Sequence, residues 1–479
     1  MKINSAQWCA VLGMLACILS NEAKASQFAI TTNNSAKLTF GGLFDGTNYL
    51  VPLEGDGLFN RANTNRQIAA QRVSQSGTLV GSLIDLGRNG SISNQSSTSI
   101  PRGAFDGTNC LVAWSDSANT GHDIYGQFMS TAGALVGAAF PIAAASTYQN
   151  FSGVVFDGTN YFVVWEDGRR GSPPYDVYGQ QVSRSGSLVG GQIRISPADN
   201  SMSYGNIRLA THENGRLVSG ATNYFVTFTS GNNSSGVLAQ FVSPNGALVG
   251  SAITIKSDGI PISNPQIAGI GFDGTNYLVS WHKDVSSTEH DLLGQRVSRA
   301  GSLVGGVIPI STAPFTNASL PFLIFDGVNY LATWSDSFGS TNQTCRARFL
   351  DPTGNPVGPE FAPLAAQGTN APLVAGSIYD GNKFFVAGLL GTFNNGDIYG
   401  RFIPKSTALP QLNTPAFTNG QFSLTLTGTP GINYAIQAST NLSSANWTSL
   451  ATNSPTNGAF SFSDTHATNR SQFYRALKQ

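Results

Sequence analysis

Apolar residues between positions 27 and 405 fall into short runs broken by Gly, Asp, Asn and Ser, and no long stretch keeps a 3.6-residue period, so strands and turns are expected with very little helix. The clearest run is Gly153-Val154-Val155-Phe156, then Asp-Gly, then Tyr161-Phe162-Val163-Val164-Trp165. Asp-Gly tolerates the positive φ of a tight hairpin, so the two runs read as strands a and b. Strand b is apolar on both faces and must be covered on both. Strand c follows a loop (Asp176-Val177-Tyr178-Gly179-Gln180-Gln181-Val182). Ser185-Gly186 then turns into strand d, from Leu188-Val189 to Ile193-Arg194-Ile195.

The unit recurs. Phe-Asp-Gly-Thr-Asn stands at 44–48, 105–109, 156–160 and 272–276, with variants at 325–329 and 379–382 and a degenerate copy at Gly220-Ala221-Thr222-Asn223. Aligned on the Asn or its equivalent, the copies sit at 48, 109, 160, 223, 276, 329 and 382. A period near 50 residues with four strands per copy predicts a seven-bladed β-propeller over 26–405. The seventh copy has strand c (Asp397 to Phe402) but no strand d, whereas Gln27-Phe28-Ala29-Ile30-Thr31 reads as a strand d with no copy before it. The N-terminal segment is therefore expected to complete the last blade and close the ring, removing exposed edges. Beyond 405 the composition changes. Residues 406–418, with Pro410 and Pro415, read as a linker. Residues 419–479 alternate over Phe422–Thr427, Tyr434–Ala438, Trp447–Leu450, Phe460–Phe462 and Gln472–Ala476, as in a small β-sandwich.

The pattern Phe-Asp-Gly-Thr-Asn-Tyr, Trp-x-Asp, Asp-x-Tyr-Gly-Gln, Gly-x-Leu-Val resembles the blade repeats of secreted bacterial β-propeller proteins over residues 27–405. Tyr-x-Ile-Gln-x-Ser, Asn-Leu, Trp and Phe-Tyr-Arg after residue 433 resemble the fibronectin-like modules that end many secreted proteins of environmental bacteria. The second resemblance implies attachment, sorting or carbohydrate binding; the first implies architecture and no activity. Residues 1–25 fit a secretory signal peptide, with Lys2, an apolar stretch from Trp8 to Leu19 too short to span a bilayer, and a small-x-small site at Ala23-Lys24-Ala25. A lipoprotein anchored at Cys17 is the alternative. The expected location is outside the cell or on its surface.

Charge narrows the partners. The 26 basic and 26 acidic residues cancel, and only 11% of the 479 residues are charged. No basic stripe offers itself to nucleic acid, and no span or charged patch to a membrane. The chain is read as a monomer whose partner is a polysaccharide or an extracellular protein. Cys110 and Cys345 fall in copies 2 and 6, too far apart in the ring for a disulfide, and read as small buried hydrophobes.

Two recurrent carboxylates invite a chemical reading. The Asp of Phe-Asp-Gly (Asp45, Asp106, Asp157, Asp273, Asp326, Asp380) could supply calcium ligands, but near-identical repetition favours an Asp that bonds its own turn. Trp-x-Asp gives Trp114 with Asp116, Trp165 with Asp167 and Trp334 with Asp336; in copy 5, Trp281 is followed by His282-Lys283-Asp284. Aromatic rings beside carboxylates suit sugar binding, so Trp114, Asp116, Trp165, Asp167, His282, Trp334 and Asp336 are the candidate ligand-binding residues. Packing of the Trp between blades, with Asp capping the next loop, is the structural alternative. His282, Asp284, Glu289, His290 and Asp291 match no metal-site spacing, and neither a metal nor a cofactor is expected. No catalytic residue is assigned, because no nucleophile elbow, phosphate loop or dinucleotide fingerprint is present.

The a–b and c–d turns are nearly invariant, whereas the b–c and d–a loops vary and emerge together. Variable loops on a rigid scaffold carry binding. The expected function is non-catalytic extracellular binding or scaffolding at that face. The alternative is a carbohydrate-active enzyme (hydrolase or lyase type) using two or three of Asp116, Glu166, Asp167, Asp284 and Asp336, which requires two carboxylates facing each other across a pocket.

Overall fold

In a computed structural model of the chain, the described residues are 27–31, 37–39, 41–59, 66–87, 101–116, 122–171, 174–198, 202–209, 223–230, 236–256, 267–284, 290–311, 319–336, 344–367, 370–392, 395–405, 411–418, 421–428, 433–440, 446–454, 459–465 and 472–478. The signal-peptide reading of residues 1–25 lies outside them. Among the described residues the protein is all-β, and no helix is long and apolar enough to cross a membrane.

Among the described residues, seven antiparallel sheets of four or five strands follow one another along the chain, and two three-stranded sheets come after them. Sheet 3 shows the plan, with Gln149–Phe156 (a), Asn160–Asp167 (b), Asp176–Ser183 (c) and Leu188–Arg194 (d) paired in chain order. The a–b turn needs Gly158, whose φ is 100°. Strand d breaks register beside Gly190, where the Gln180 amide donates to the carbonyls of Gln181 and Val189 at 3.0 and 2.9 Å. Gln127, Gln240 and Gln295 repeat this bond and Gln71 reaches the neighbouring carbonyl of Gly81, so the recurrent Gln of strand c fixes a bulge that blunts the outer edge strand.

The inner strands touch in sequence. Leu43–Phe44 meets Arg102–Phe105, which meets Gln149–Phe156, then Tyr204–Leu209, Ile267–Phe272, Ser319–Phe325 and Pro372–Tyr379. Pro372–Tyr379 meets Leu43–Phe44 again. Sheet 7 takes its fourth strand from the N-terminus: Phe28–Thr31 pairs with Asn395–Pro404, Phe28 opposite Gly400 and Ala29 opposite Tyr399. Phe28 lies 6.0 and 5.6 Å from the rings of Phe385 and Phe402, Ile30 is buried, and the Gln27 amide exchanges two hydrogen bonds with the backbone of Ala365.

The recurrent Asp is consumed by the fold. In Asp45, Asp106, Asp157, Asp273, Asp326 and Asp380, Oδ1 accepts the N–H groups two and three residues on, at 2.7–2.8 Å. Two of these carboxylates also take a Tyr hydroxyl from the next sheet: Tyr224 donates to Asp157 at 2.5 Å and Tyr49 donates to Asp380. The hydroxyls of Tyr161 and Tyr330 lie near Asp106 and Asp273 but donate to the carbonyls of Asn109 and Asn276, at 3.1 and 3.4 Å. Burial, reinforced by these carboxylates, pushes all four phenols well above their ordinary range. Cys110 and Phe384 occupy the Tyr position in sheets 2 and 7, and copy 4 has Gly220 where the Asp would be, so Tyr277 has no such carboxylate. Tyr49→Phe, which strips a half-buried carboxylate of its donor between sheets 7 and 1, is expected to cost about 1–3 kcal/mol. Tyr277→Phe should cost less than half as much. Denaturant midpoints check the pair, and equal losses would refute the inter-sheet role of the hydroxyl. Cys110 and Cys345 are buried free thiols, and burial raises both.

The linker expectation needs correction. Gln411–Thr418 is a strand, not a linker, and pairs with Gln421–Thr427 as the edge of a sheet completed by Ala459–Asp464. Pro415 is tolerated there because it falls in a bulge of an edge strand, between Asn413 and Ala416. The second sheet is ordered Thr448–Asn453, Tyr434–Ser439, Phe473–Lys478, and Leu424, Leu426, Tyr434 and Ile436 form the core between the two.

Candidate functional site

The Trp-x-Asp motif ends strand b, where the b–c and d–a loops emerge. In sheet 3 the Trp165 indole donates to Asp167 Oδ2 at 2.9 Å. The same carboxylate accepts from Gln149 (3.0 Å), from the Arg169 backbone (2.9 Å) and, in a fork, from Arg169 Nε and Nη2 (both 2.7 Å). The Arg169 guanidinium also lies 3.8 Å over the Tyr178 ring. Directly across the ladder stands Asp176, bonded by Arg170 (2.6 and 2.7 Å), Arg194 (3.0 Å) and Ser196 (3.1 Å). Two fully buried carboxylates in opposed positions would repel; three guanidiniums offset that. Burial raises the Asp167 carboxyl, but the bonds from Arg169, Trp165 and Gln149 outweigh it and hold it below its usual range. An acid held ionised in this way cannot protonate a leaving group at neutral pH.

Asp380 and Asp351 are likewise held down, the donors around each overcoming burial. For a group with a depressed folded pKa, the stabilisation is present above the unfolded pKa and lost as pH falls through the folded one. Thermal midpoints are therefore expected to fall progressively below about pH 4, with a smaller fall in Asp380→Asn. A midpoint that is flat or rising between about pH 5 and 3 would contradict the assignment.

The other candidates stay in their own sheets. Trp114 with Asp116 is buried in sheet 2, Trp334 with Asp336 in sheet 6, and Trp281 with His282 in sheet 5. Asp336 is paired with Arg346 at 2.8 Å, and Asp116 stands opposite Asp123, which accepts the Ala145 N–H at 3.2 Å. The Trp281 indole N–H is buried with no partner among the described residues, and Lys283 stands where sheet 3 has its Asp. Rings enclosed in hydrophobic clusters present no face to a sugar, so burial favours packing over ligand contact for Trp114, Trp165 and Trp334. The side chains of Asp284 and His290, and residue 289, lie outside the described residues. Within those described, no group of three His, Cys, Asp or Glu is placed to hold a metal.

The loop face carries a different cluster. His122, Tyr148 and Tyr175 form a half-buried row with ring centres 5.1 and 5.4 Å apart. Asn150 bonds Glu166 at 3.3 Å beside it, Ser203 accepts the Tyr175 N–H at 3.0 Å, and Met202 is exposed. His122 has φ 54°, a left-handed conformation that side chains rarely adopt, and burial lowers its pKa, so the ring is neutral at neutral pH. Burial, Glu166 and Tyr175 raise the Tyr148 phenol. These residues sit in loops that differ among copies, so no repeat signal points to them.

No family model matches the chain, and no curated protein sequence matches it. Among solved structures it is similar to a protein of unknown function from Dyadobacter fermentans (10% identity, 80% of this chain and 99% of that one, TM-score 0.45). It is also similar to the β-propeller domain of the Trilobed protease of Pyrococcus furiosus (8%, 76% and 95%, TM-score 0.42). A third likeness, to the acylaminoacyl peptidase of Pyrococcus horikoshii (9%, TM-score 0.44), covers 83% of this chain but spans only 59% of the peptidase.

Proposed function

We propose that the chain is a seven-bladed β-propeller closed by its N-terminal strand and followed by a fibronectin-like sandwich. In this reading it is an exported, non-catalytic binding or scaffold protein whose ligand, a carbohydrate or a protein, sits on the b–c/d–a loop face. The observation that carries the functional part is the fate of the recurrent carboxylates: each Phe-Asp-Gly Asp is bonded to its own turn, and Asp167 is saturated by Trp, Gln and Arg. Support for the face comes from the row His122, Tyr148, Tyr175, which lies where loops vary. Support for closure comes from the return of inner-strand contact to Leu43–Phe44 and from the Tyr49–Asp380 bond between the last and first copies.

The test is a panel of polysaccharides and cell walls offered to the mature protein, with released reducing ends measured alongside retention. Retention without product, weakened by Tyr148→Ala or Tyr175→Ala, is expected. Product release would overturn the non-catalytic reading, and no retention on any polysaccharide would sink its carbohydrate form and leave a protein ligand.

A further inference from the structure

Three residues of the C-terminal motif, far apart in sequence, converge outside the core. In Phe473–Lys478, Tyr474 and Ala476 pack inward, so Phe473, Arg475 and Leu477 project from the other face of the sheet. Arg475 lies 4.3 Å over the Trp447 ring and donates from Nε to Gln437 Oε1 at 2.9 Å; the Gln437 amide in turn donates to Ser449 at 3.0 Å. Gln437, Trp447 and Arg475 are the Gln, Trp and final Arg of the motif, and none of them belongs to the sandwich core. The terminal nitrogens of Arg475 have no partner among the described residues, and no carboxylate there neutralises the guanidinium. The single acidic residue after position 405, Asp464, is buried and takes the Tyr474 hydroxyl (2.9 Å) and the Gln472 amide (3.2 Å). Arg470, Arg475 and Lys478 leave this part of the chain net positive.

We infer that the outer face of the sheet Thr448–Asn453, Tyr434–Ser439, Phe473–Lys478 binds an anionic polysaccharide bearing carboxylates. The fixed Nε–Gln437 bond leaves the Nη edge of Arg475, whose parallel N–H groups match a carboxylate fork. Trp447 supplies apolar surface beside that edge, and Gln437 and Ser449 are positioning residues. The uncompensated charge selects an acidic over a neutral glycan. This site is separate from the propeller face proposed above and does not depend on it.

The test uses the full mature chain, with polygalacturonate as probe and its methyl ester as the same backbone without charge. Retention on polygalacturonate that weakens with salt, and not on the ester, is expected. Arg475→Gln should weaken it about tenfold or more, Arg475→Lys less, each with an unchanged thermal midpoint. Absence of retention, equal binding of the ester, or an unchanged Arg475→Gln affinity would overturn the inference. Loss of retention in Tyr148→Ala but not in Arg475→Gln would also overturn it, by moving the glycan to the propeller.

Discussion

Removing residues 27–31 is expected to cost more than about 5 kcal/mol, enough to abolish the folded state of a chain with ordinary net stability. The segment is only five residues long, yet it is the outer strand of sheet 7. Its loss strips Phe28 from the Phe385–Phe402 pair and Ile30 from a buried cluster shared by the first and last sheets. A Phe-to-Ala change in a core costs about 3–5 kcal/mol and an Ile-to-Ala change about 2–5; Phe28 is half-buried and falls at the low end. The deletion also leaves Asn395–Pro404 as an unpaired edge, with its backbone groups open to other chains. Soluble yield and denaturant midpoint are the measurements. A deleted chain that unfolds within about 1 kcal/mol of the parent would show that sheet 7 does not need its N-terminal strand.

Asp167→Ala is expected to lose about 3–5 kcal/mol, the cost of leaving buried partners of a charge uncompensated. Trp165 would lose its indole acceptor and Gln149 its amide acceptor, and Arg169 would lose its fork while still facing the buried Asp176 network. Asp167→Asn keeps the shape and one acceptor and should lose less. The adjacent half-buried Glu166→Gln should change stability little. If Asp167 were instead an exposed ligand contact, Asp167→Ala would leave the midpoint unchanged and alter only binding; thermal and denaturant unfolding separate the two.

The strands of the repeats were legible because each copy restates the same signals. Asp-Gly marks the a–b turn, doubly apolar strands such as Tyr161–Trp165 announce burial on both faces, and missing and surplus d strands at the two ends point to each other. The structural role of Asp106 and its equivalents was legible from repetition alone. The Tyr–Asp bonds were not, since Tyr224 meets Asp157 across two sheets and no local pattern encodes contact between copies. Gln411–Thr418 was misread as a linker because Pro415 masks an edge strand, which tolerates it at a bulge. The row His122, Tyr148, Tyr175 was missed because it lies where copies differ, and a search built on similarity passes over such residues. Gln437, Trp447 and Arg475 stood out in the motif, but only the fold brings them to one face.

Closure of the ring by the N-terminal strand is the central claim, and a cross-link tests it most directly. Ala29 and Tyr399 stand opposite each other in the register and are half-buried, at a separation typical of antiparallel partners and suited to a disulfide. In the double variant Ala29→Cys/Tyr399→Cys, mild oxidation of the native protein should join the two positions, detected as one disulfide-linked peptide pair after digestion, while the buried Cys110 and Cys345 remain free. Full alkylation of both introduced thiols in the native protein, with no linked pair, would contradict the closed ring.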